Sequence, residues 1–226
     1  PSYYMWRIQE PQRETVRQRL ARHWGVSTEE IALTRNSSES LQICQLGFDL
    51  KPGDEVITTT QDYPRMLSTF RQRERRDGIK LSLIKIPIPC EDDAEVVSRF
   101  EAAVTPRTRM ILMSHVINIT GQILPVRRVV AMARAKNGGI PVVVDGAHAL
   151  AQFRFQISDL ECDYYGVSLH KWLAAPHGTG LLYVRKDKIK GLWPMMAARS
   201  EQDEDIRKFE EIGTHPAANW LAIAEA

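Results

Sequence analysis

Residues 141–185 read PVVVDGAHALAQFRFQISDLECDYYGVSLHKWLAAPHGTGLLYVR, and this stretch decides the class of fold. The run PVVVDG at its start is rich in β-branched residues and predicts a strand. DYYGVSLHKW (163–172) and GTGLLYVRK (178–186) predict two further strands on either side of a polar loop. The apolar pattern is interrupted at His170, Lys171 and His177, so these polar residues need a separate explanation.

The residues before this stretch alternate between strand and helix patterns. EVITTT (55–60), IKLSLIKIP (79–87) and RMILMSHV (109–116) predict strands, and residues 64–78, 91–104 and 125–139 predict helices. Nearer the start of the chain, the pattern predicts a helix over Glu10–Trp24, a strand IALTR (31–35) and a helix within NSSESLQICQLG (36–47). This alternation implies an α/β fold, a three-layer αβα domain with a mainly parallel mixed sheet that is covered on both faces.

The composition is that of an ordinary globular protein. Of the 226 residues, 43% are hydrophobic and 26% are charged, and 30 basic and 28 acidic residues leave a net charge of +2. This balance does not favour a nucleic-acid partner, and no run approaches the roughly 20 apolar residues of a membrane helix. Three cysteines, an odd number without metal-ligand spacing, suit a reducing compartment, so we expect a cytoplasmic protein.

Two residues of the deciding stretch indicate cofactor chemistry. Asp145 ends the strand PVVVD, where its carboxylate needs a partner such as the pyridinium nitrogen of pyridoxal 5'-phosphate (PLP). The alternative is a structural aspartate that caps the next helix. Lys171 lies between two apolar strands, where burial favours the neutral amine that forms a Schiff base with an aldehyde. The alternative is a lysine exposed to water, and Trp172 is expected to pack beneath the lysine.

Two segments are candidates for binding a phosphate. Ser168 and His170 alternate with an apolar residue, which places both on one side of an extended chain. Ser37 and Ser38 stand at the predicted start of a helix, where free N–H groups and the helix dipole favour an anion. Such a turn is also an ordinary way to begin a helix.

The stretches VVVDGAHALAQF and YYGVSLHKWLAAPHGTGLLYVRK resemble the core signature of the class V aminotransferases, PLP enzymes of fold-type I, especially the branch similar to isopenicillin N epimerases. The resemblance extends from about Ser27 to Thr214, and the combination of DGAH with SLHKW is its most specific part. It implies that Asp145 pairs with the pyridine nitrogen, that His148 contacts the ring 3-oxygen and that Lys171 carries the Schiff base. The other cofactor contacts that it implies are Ser37, Ser38, Ser168 and His170 at the phosphate, Tyr63 on the face of the ring, and Asn118 near the ring and substrate.

The segment EEIGTHPA (210–217) resembles a Gly-Thr element that similar enzymes insert into the phosphate site of the neighbouring subunit. It implies a homodimer in which Thr214 is contributed in trans. The chain departs from the family pattern at two places. NSSES differs from the commoner glycine-small-threonine pattern, and His215 replaces a more frequent basic residue.

The two ends of the sequence suggest a fragment of a longer enzyme, because it has no initiator methionine and stops within a helical pattern. We expect an N-terminal helical segment (1–26), a PLP-binding large domain (27–190), and the start of an inter-domain or dimer-contact segment (191–226). A C-terminal small domain is then missing after Ala226.

The resemblance implies an enzyme that acts on an amino-acid substrate, either an aminotransferase or an isopenicillin N epimerase-like enzyme. A cysteine desulfurase or carbon–sulfur lyase of the same fold is the alternative. A non-catalytic binding subunit of the PLP fold is a further alternative, against which the presence of both Asp145 and Lys171 argues. A metal site of Asp145, His148 and His170 leaves Lys171 unexplained, and a dinucleotide site lacks its G-x-G-x-x-G turn.

Overall fold

A seven-stranded mixed sheet forms the centre of the molecule, in the strand order β1-β7-β6-β5-β4-β2-β3. The structure is a computed structural model, and it describes residues 2–226. Strand β7 is antiparallel to both of its neighbours, and every other adjacent pair is parallel. The strands are β1 (Ile31–Thr34), β2 (Glu55–Thr59), β3 (Lys80–Ile84), β4 (Thr108–Ser114), β5 (Val142–Asp145), β6 (Tyr164–Ser168) and β7 (Gly180–Val184).

Helices cover the sheet on both faces. They are α1 (Ser2–Tyr4), α2 (Glu10–Trp24), α3 (Ser37–Gly47), α4 (Pro64–Asp77), α5 (Asp93–Ala103), α6 (Val126–Arg134), α7 (Ile157–Leu160) and α8 (Ala218–Leu221). A π-helical turn over Met5–Gln9 joins α1 to α2, and 3₁₀ turns lie at Thr28–Glu30, Lys186–Lys188, Ser200–Gln202, Ile206–Glu210 and Ala222–Glu225. Helices α3 and α4 pack on one face, and α2, α5, α6, α7 and α8 pack on the other.

The strands β5, β6 and β7 are buried at every position, whereas the edge strand β3 is partly exposed. In β5, Val142 and Val144 belong to one hydrophobic core and Val143 belongs to the other. Successive side chains of a strand point to opposite faces, so a strand inside such a three-layer domain favours apolar residues on both faces. The predicted α/β class and the three-layer arrangement are therefore confirmed.

The predicted elements are all present, with small differences at their ends. Helix α2 has the predicted bounds and is capped by Gly25, whose φ of 67° suits glycine. The predicted helix over 125–139 ends earlier, at Arg134. Its last residues instead form a turn in which Asn137, Gly138 and Gly139 all have positive φ. In residues 2–226, no helix combines the length and the apolar character that crossing a membrane requires.

The first expected segment, 1–26, packs onto the rest of the chain through α2; Pro1 lies outside the described residues. Arg17 of α2 is 1% exposed and donates to the carbonyl of Ile31 at 2.6 Å and to both carboxylate oxygens of Glu210. Glu210 Oε1 also accepts the Leu33 N–H at 2.6 Å. This buried ion pair ties α2 to β1 and to the 3₁₀ turn Ile206–Glu210.

The carboxyl ends of four neighbouring strands meet at one edge of the sheet. Asp145 ends β5, Ser114 ends β4 and Ser168 ends β6, while Asp62 follows β2 by three residues. Ligands of such sheets bind beyond this edge. The fold therefore brings together polar residues that are far apart in the sequence.

Candidate active site

Asp145 is a buried carboxylate with little to stabilise its charge. It is 7% exposed, and among the described residues its one hydrogen-bond donor is the N–H of Ala147, 2.9 Å from Oδ1. Burial raises the pKa of Asp145 to about 6, and the negative charge of Asp62 adds to this shift, while the Ala147 N–H and Lys171 oppose it. A cation placed beside this carboxylate would relieve the cost of its burial.

Lys171 and His148 form a second pair at the same edge. The Lys171 amine lies three residues beyond β6, with Nζ 3.1 Å from His148 Nε2. The expected burial of Lys171 is wrong, because the residue is exposed at the surface. Partial burial of the amine still lowers the pKa of Lys171, against the attraction of Asp145. Burial followed by the charge of Lys171 lowers the pKa of His148. A neutral imidazole can accept from the amine, so a proton can pass between these two side chains.

Ser37 and Ser168 meet at the start of helix α3. The Ser37 N–H donates to Ser168 Oγ at 2.9 Å, and the Ser168 hydroxyl donates to Ser37 Oγ at 3.0 Å. Asn36 is the N-cap of α3, and its side-chain oxygen accepts the Glu39 N–H at 2.9 Å. Ser38 follows in the first turn, where backbone N–H groups have no intrahelical acceptor. This end of the helix is suited to an anion.

Two glycines allow α3 to approach the sheet closely at this point. Gly180 of β7 pairs with Ser168 of β6, and a Cβ on Gly180 would lie 2.6 Å from the backbone nitrogen of Asn36. A Cβ on Gly166 would lie 2.9 Å from Cγ of Leu41. Both distances are shorter than real Cβ contacts, so the position of the α3 start depends on these glycines.

His170 is held by the loop between β6 and β7. Its Nδ1–H donates to the carbonyl of Thr179 at 3.1 Å, which leaves Nε2 for another partner. Its ring centroid lies 5.4 Å from that of His177. The polar loop predicted between the two strands is therefore an ordered element next to Ser168.

The remaining predicted residues lie at the rim of the site or away from it. Tyr63 is the N-cap residue of α4 and is 42% exposed, and Asn118 lies exposed in the turn after β4. Thr214 lies in the loop before α8 and lines a different cavity, of about 1150 Å³, with residues of α2. The expected burial of Trp172 is wrong, because the side chain is 49% exposed and meets the His148 ring only at 6.4 Å.

Sequence reasoning missed the hydrogen-bonded pair of Asp62 and Ser114. Asp62 Oδ1 accepts from the Ser114 N–H at 2.8 Å and from its hydroxyl at 2.7 Å. The sequence carries one relevant signal, since Asp62 immediately precedes the predicted Tyr63 and Ser114 lies near the end of the predicted strand 109–116. Their partnership depends on β2 and β4 being neighbours, which the local pattern does not specify.

A buried aromatic cluster explains the glycine of the DGAH segment. A Cβ on Gly146 would overlap the ring of Tyr165. The hydroxyl of Tyr165 lies 2.9 Å from Nδ1 of His115, and burial lowers the pKa of His115 to about 4. Glycine therefore lets the chain turn over this ring directly after Asp145.

These residues fit the PLP that the resemblance predicts better than they fit a metal ion. A buried carboxylate, an amine and a helix start suit the pyridine nitrogen, the aldehyde and the phosphate. Within residues 2–226, no group of three or more His, Cys, Asp or Glu side chains is placed to hold a metal ion. The proposed metal ligands Asp145, His148 and His170 therefore do not form a metal-like cluster.

Comparisons with known proteins agree with the sequence signature. A sequence model of the aminotransferase class-V family matches residues 7–226. The chain is 31% identical over 226 residues to isopenicillin N epimerase of Streptomyces clavuligerus, covering 93% of this chain and 56% of that protein. It is 27% identical to a cysteine desulfurase of Haloferax volcanii, covering 94% of this chain and 52% of that protein.

A solved structure of a cystine C–S lyase in complex with its reaction product cysteine persulfide is 26% identical, with a TM-score of 0.85. The match covers 95% of this chain and 59% of that structure. The chain thus spans about half the length of the curated relatives that it matches. Since the family model covers nearly all of the chain, the protein belongs to the class V aminotransferase family.

Proposed function

We propose that this chain is the cofactor-binding part of a PLP-dependent enzyme that acts on amino acids, with Lys171 as the covalent attachment point of the cofactor. The observation that carries the proposal is the buried carboxylate of Asp145 at the strand edge near Lys171, which has one neutral donor within residues 2–226. A cationic ring nitrogen bound beside this carboxylate would offset the cost of burying it.

When bound, PLP supplies an aldehyde for an amine and a conjugated ring that withdraws electrons from the α-carbon of an amino acid. Asp145 would hold a proton at the ring nitrogen, because a carboxylate beside that nitrogen favours its protonated form. The pKa of Asp145 is raised to about 6 in the chain without a cation at this edge, and a protonated ring nitrogen beside the carboxylate would lower it.

Lys171 and His148 would move protons at the substrate side of the site. The lowered pKa of Lys171 increases the neutral fraction of the amine, which is the nucleophilic form. As a free amine, Lys171 would be placed to accept and return a proton at the α-carbon of an amino acid. His148, with Nε2 3.1 Å from the amine, can orient it and share its proton.

The phosphate end would be held by Ser37, Ser38, Ser168 and His170. The mutual hydrogen bonds of Ser37 and Ser168 keep both hydroxyls at the start of α3, and either can turn to donate to an anion. His170 is oriented through Thr179, so its second nitrogen is available. Tyr63 at the face of the ring and Asn118 near the substrate belong to the same proposal.

The proposal includes the wider organisation of the protein. It consists of a large domain (27–190) between a helical segment (1–26) and a contact segment (191–226), in a homodimer with Thr214 donated in trans. Thr214 supports this arrangement because it lines a cavity formed with α2 rather than with the carboxyl edge of the sheet. The three free cysteines fit a cytoplasmic location.

Two reaction types remain in the proposal. An aminotransferase or epimerase is favoured by the 31% identity to isopenicillin N epimerase, and a desulfurase or lyase is the second candidate because of the match to the cystine C–S lyase. Cys44 and Cys162 are buried, which raises the pKa of each thiol far above its usual range. Neither is suited to act as a sulfur nucleophile, since the thiolate is the reactive form.

Borohydride trapping tests the proposal. The purified chain is mixed with PLP, reduced, digested and mapped for the labelled lysine, in parallel with Lys171→Ala and with the exposed control Lys190→Ala. We expect labelling at Lys171 in the unmodified chain and in Lys190→Ala, and none in folded Lys171→Ala. Specific labelling that survives Lys171→Ala would show that another lysine is the attachment point.

A further inference from the structure

Asp62 is a buried carboxylate that joins the ends of two strands. It is 2% exposed, and four groups donate to it. Oδ2 accepts from the Thr58 hydroxyl at 2.7 Å and the Thr59 N–H at 2.8 Å, and Oδ1 accepts from the N–H and the hydroxyl of Ser114. All four donors are neutral, so hydrogen bonds stabilise the carboxylate without cancelling its charge.

The sheet register places Asp62 in a row with Asp145. Ser114 at the end of β4 pairs with Asp145 at the end of β5, and Asp62 is bonded to Ser114 from the other side. Neighbouring strands lie about 4.8 Å apart, so the two spacings from β2 across β4 to β5 separate the carboxylates by on the order of 10 Å. Tyr63, the next residue after Asp62, starts helix α4 at the same edge.

The two buried carboxylates are in unequal environments. Asp62 accepts four hydrogen bonds, whereas the donor to Asp145 among the described residues is the Ala147 N–H. The charged or titratable groups that act on Asp145 are Asp62 and Lys171, and Tyr165 lies beneath the turn that follows it. His148 lies on the same turn and is hydrogen-bonded to Lys171. Asp62 is therefore the negative group that opposes ionisation of Asp145.

We propose that Asp62 is a positioning residue of the site: it fastens the loop that carries Tyr63 to the end of β4, and its negative charge favours a proton at Asp145. This inference rests on the proposed function, because Asp145 and Tyr63 are the groups that would contact the cofactor. It assigns a role to a residue that would touch neither substrate nor cofactor.

The effect of the Asp62 charge on Asp145 is tested by the titration of Asp145 in the chain without cofactor. The ¹³Cγ signals of aspartate-labelled protein are followed against pH, and the Asp145 signal is assigned by its loss in Asp145→Asn. With an effective dielectric constant of about 20, a unit charge on the order of 10 Å away changes proton affinity by about tenfold. Asp62→Asn should therefore lower the proton affinity of Asp145 about tenfold, a shift that a merely structural role would not require.

The attachment of the loop Thr60–Tyr63 to the end of β4 is tested by amide hydrogen exchange of the loop. Ser114→Ala removes one neutral donor and keeps both charges, so exchange of these amides should quicken about fivefold, as expected for one hydrogen bond. The proton affinity of Asp145 should stay within about twofold. The exposed carboxylate of Asp93, on α5, provides the matched control Asp93→Asn, which should change neither measurement.

The outcomes separate this inference from the proposed function. If Asp62→Asn leaves the Asp145 titration within twofold of the unmodified chain, the role of the charge is wrong, even where borohydride labels Lys171. If Ser114→Ala leaves loop exchange unchanged, the fastening role is wrong, and this test holds even where Asp62→Asn does not fold. Failure of labelling at Lys171 in the unmodified chain would instead remove the proposed function.

Discussion

Gly180→Ala should damage the anion-binding start of α3 from within the sheet. Gly180 lies in β7, opposite Thr34 on one side and Ser168 on the other. The added methyl would lie 2.6 Å from the nitrogen and 2.7 Å from the Cα of Asn36, and 2.7 Å from Oγ1 of Thr34. Two of these three atoms belong to the backbone, so turning a flexible side chain cannot relieve the contact.

The expected cost follows from the displacement. Non-bonded carbon atoms pack at about 3.5–4.0 Å, so the backbone at Asn36 has to move by about 1 Å. Overpacking of this kind costs about 1–3 kcal/mol in the free energy of unfolding. At about 2–4 °C per kcal/mol for a chain of this size, Tm should fall by about 2–12 °C. Loss of one or two hydrogen bonds to a phosphate should weaken PLP binding by about 10- to 100-fold.

The assay combines thermal unfolding without cofactor with a PLP titration followed by visible absorbance. Gly191→Ala is the matched control, because its nearest contact would be the carbonyl of Lys188 at 3.9 Å. It should leave both Tm and PLP affinity close to those of the unmodified chain. A Gly180→Ala variant that leaves both Tm and PLP affinity unchanged, or an equal loss of affinity in the two variants, would contradict this role of Gly180.

Two further variants test the buried charges. Arg17→Met leaves Glu210 buried without its cation and should lower the free energy of unfolding in urea by about 3–5 kcal/mol. The double variant Arg17→Met/Glu210→Gln should recover at least half of that loss. A cost below about 1 kcal/mol for the single variant would contradict this role of the ion pair. The pKa of Asp145 in the folded chain is about 6, above its ordinary 3.8, so its contribution to stability is full below pH 3.8 and is lost as pH rises through 6. Asp145→Asn should therefore stabilise the cofactor-free chain at pH 7 by about 3 kcal/mol at most, and its free energy of unfolding should vary less between pH 4 and 7 than that of the unmodified chain. An equal difference in Tm between variant and unmodified chain at pH 4 and at pH 7 would contradict this.

The local elements follow from sequence because their causes are local. β-Branched runs bounded by turn residues predicted β5, and its last residue, Asp145, lies at the sheet edge as expected. Ser27 and Glu30 have the spacing of a capping box, and both of its hydrogen bonds are present. The start of α3 at Ser37 follows from the capping tendency of Asn36.

The tertiary structure alone decided which ends of helices and strands lie next to one another. Ser37 and Ser168 are 131 residues apart, and Arg17 and Glu210 are 193 apart, yet each pair is hydrogen-bonded. Asp62 bonds to Ser114 only because β2 lies beside β4 in the sheet. Periodicity and caps report the conformation of a few neighbouring residues, whereas strand order is set by burying two apolar faces at once and by satisfying buried polar groups across the sheet. The sequence by itself therefore determined the class of fold and the residues able to carry chemistry, and the packing of the whole chain determined which of them share a site.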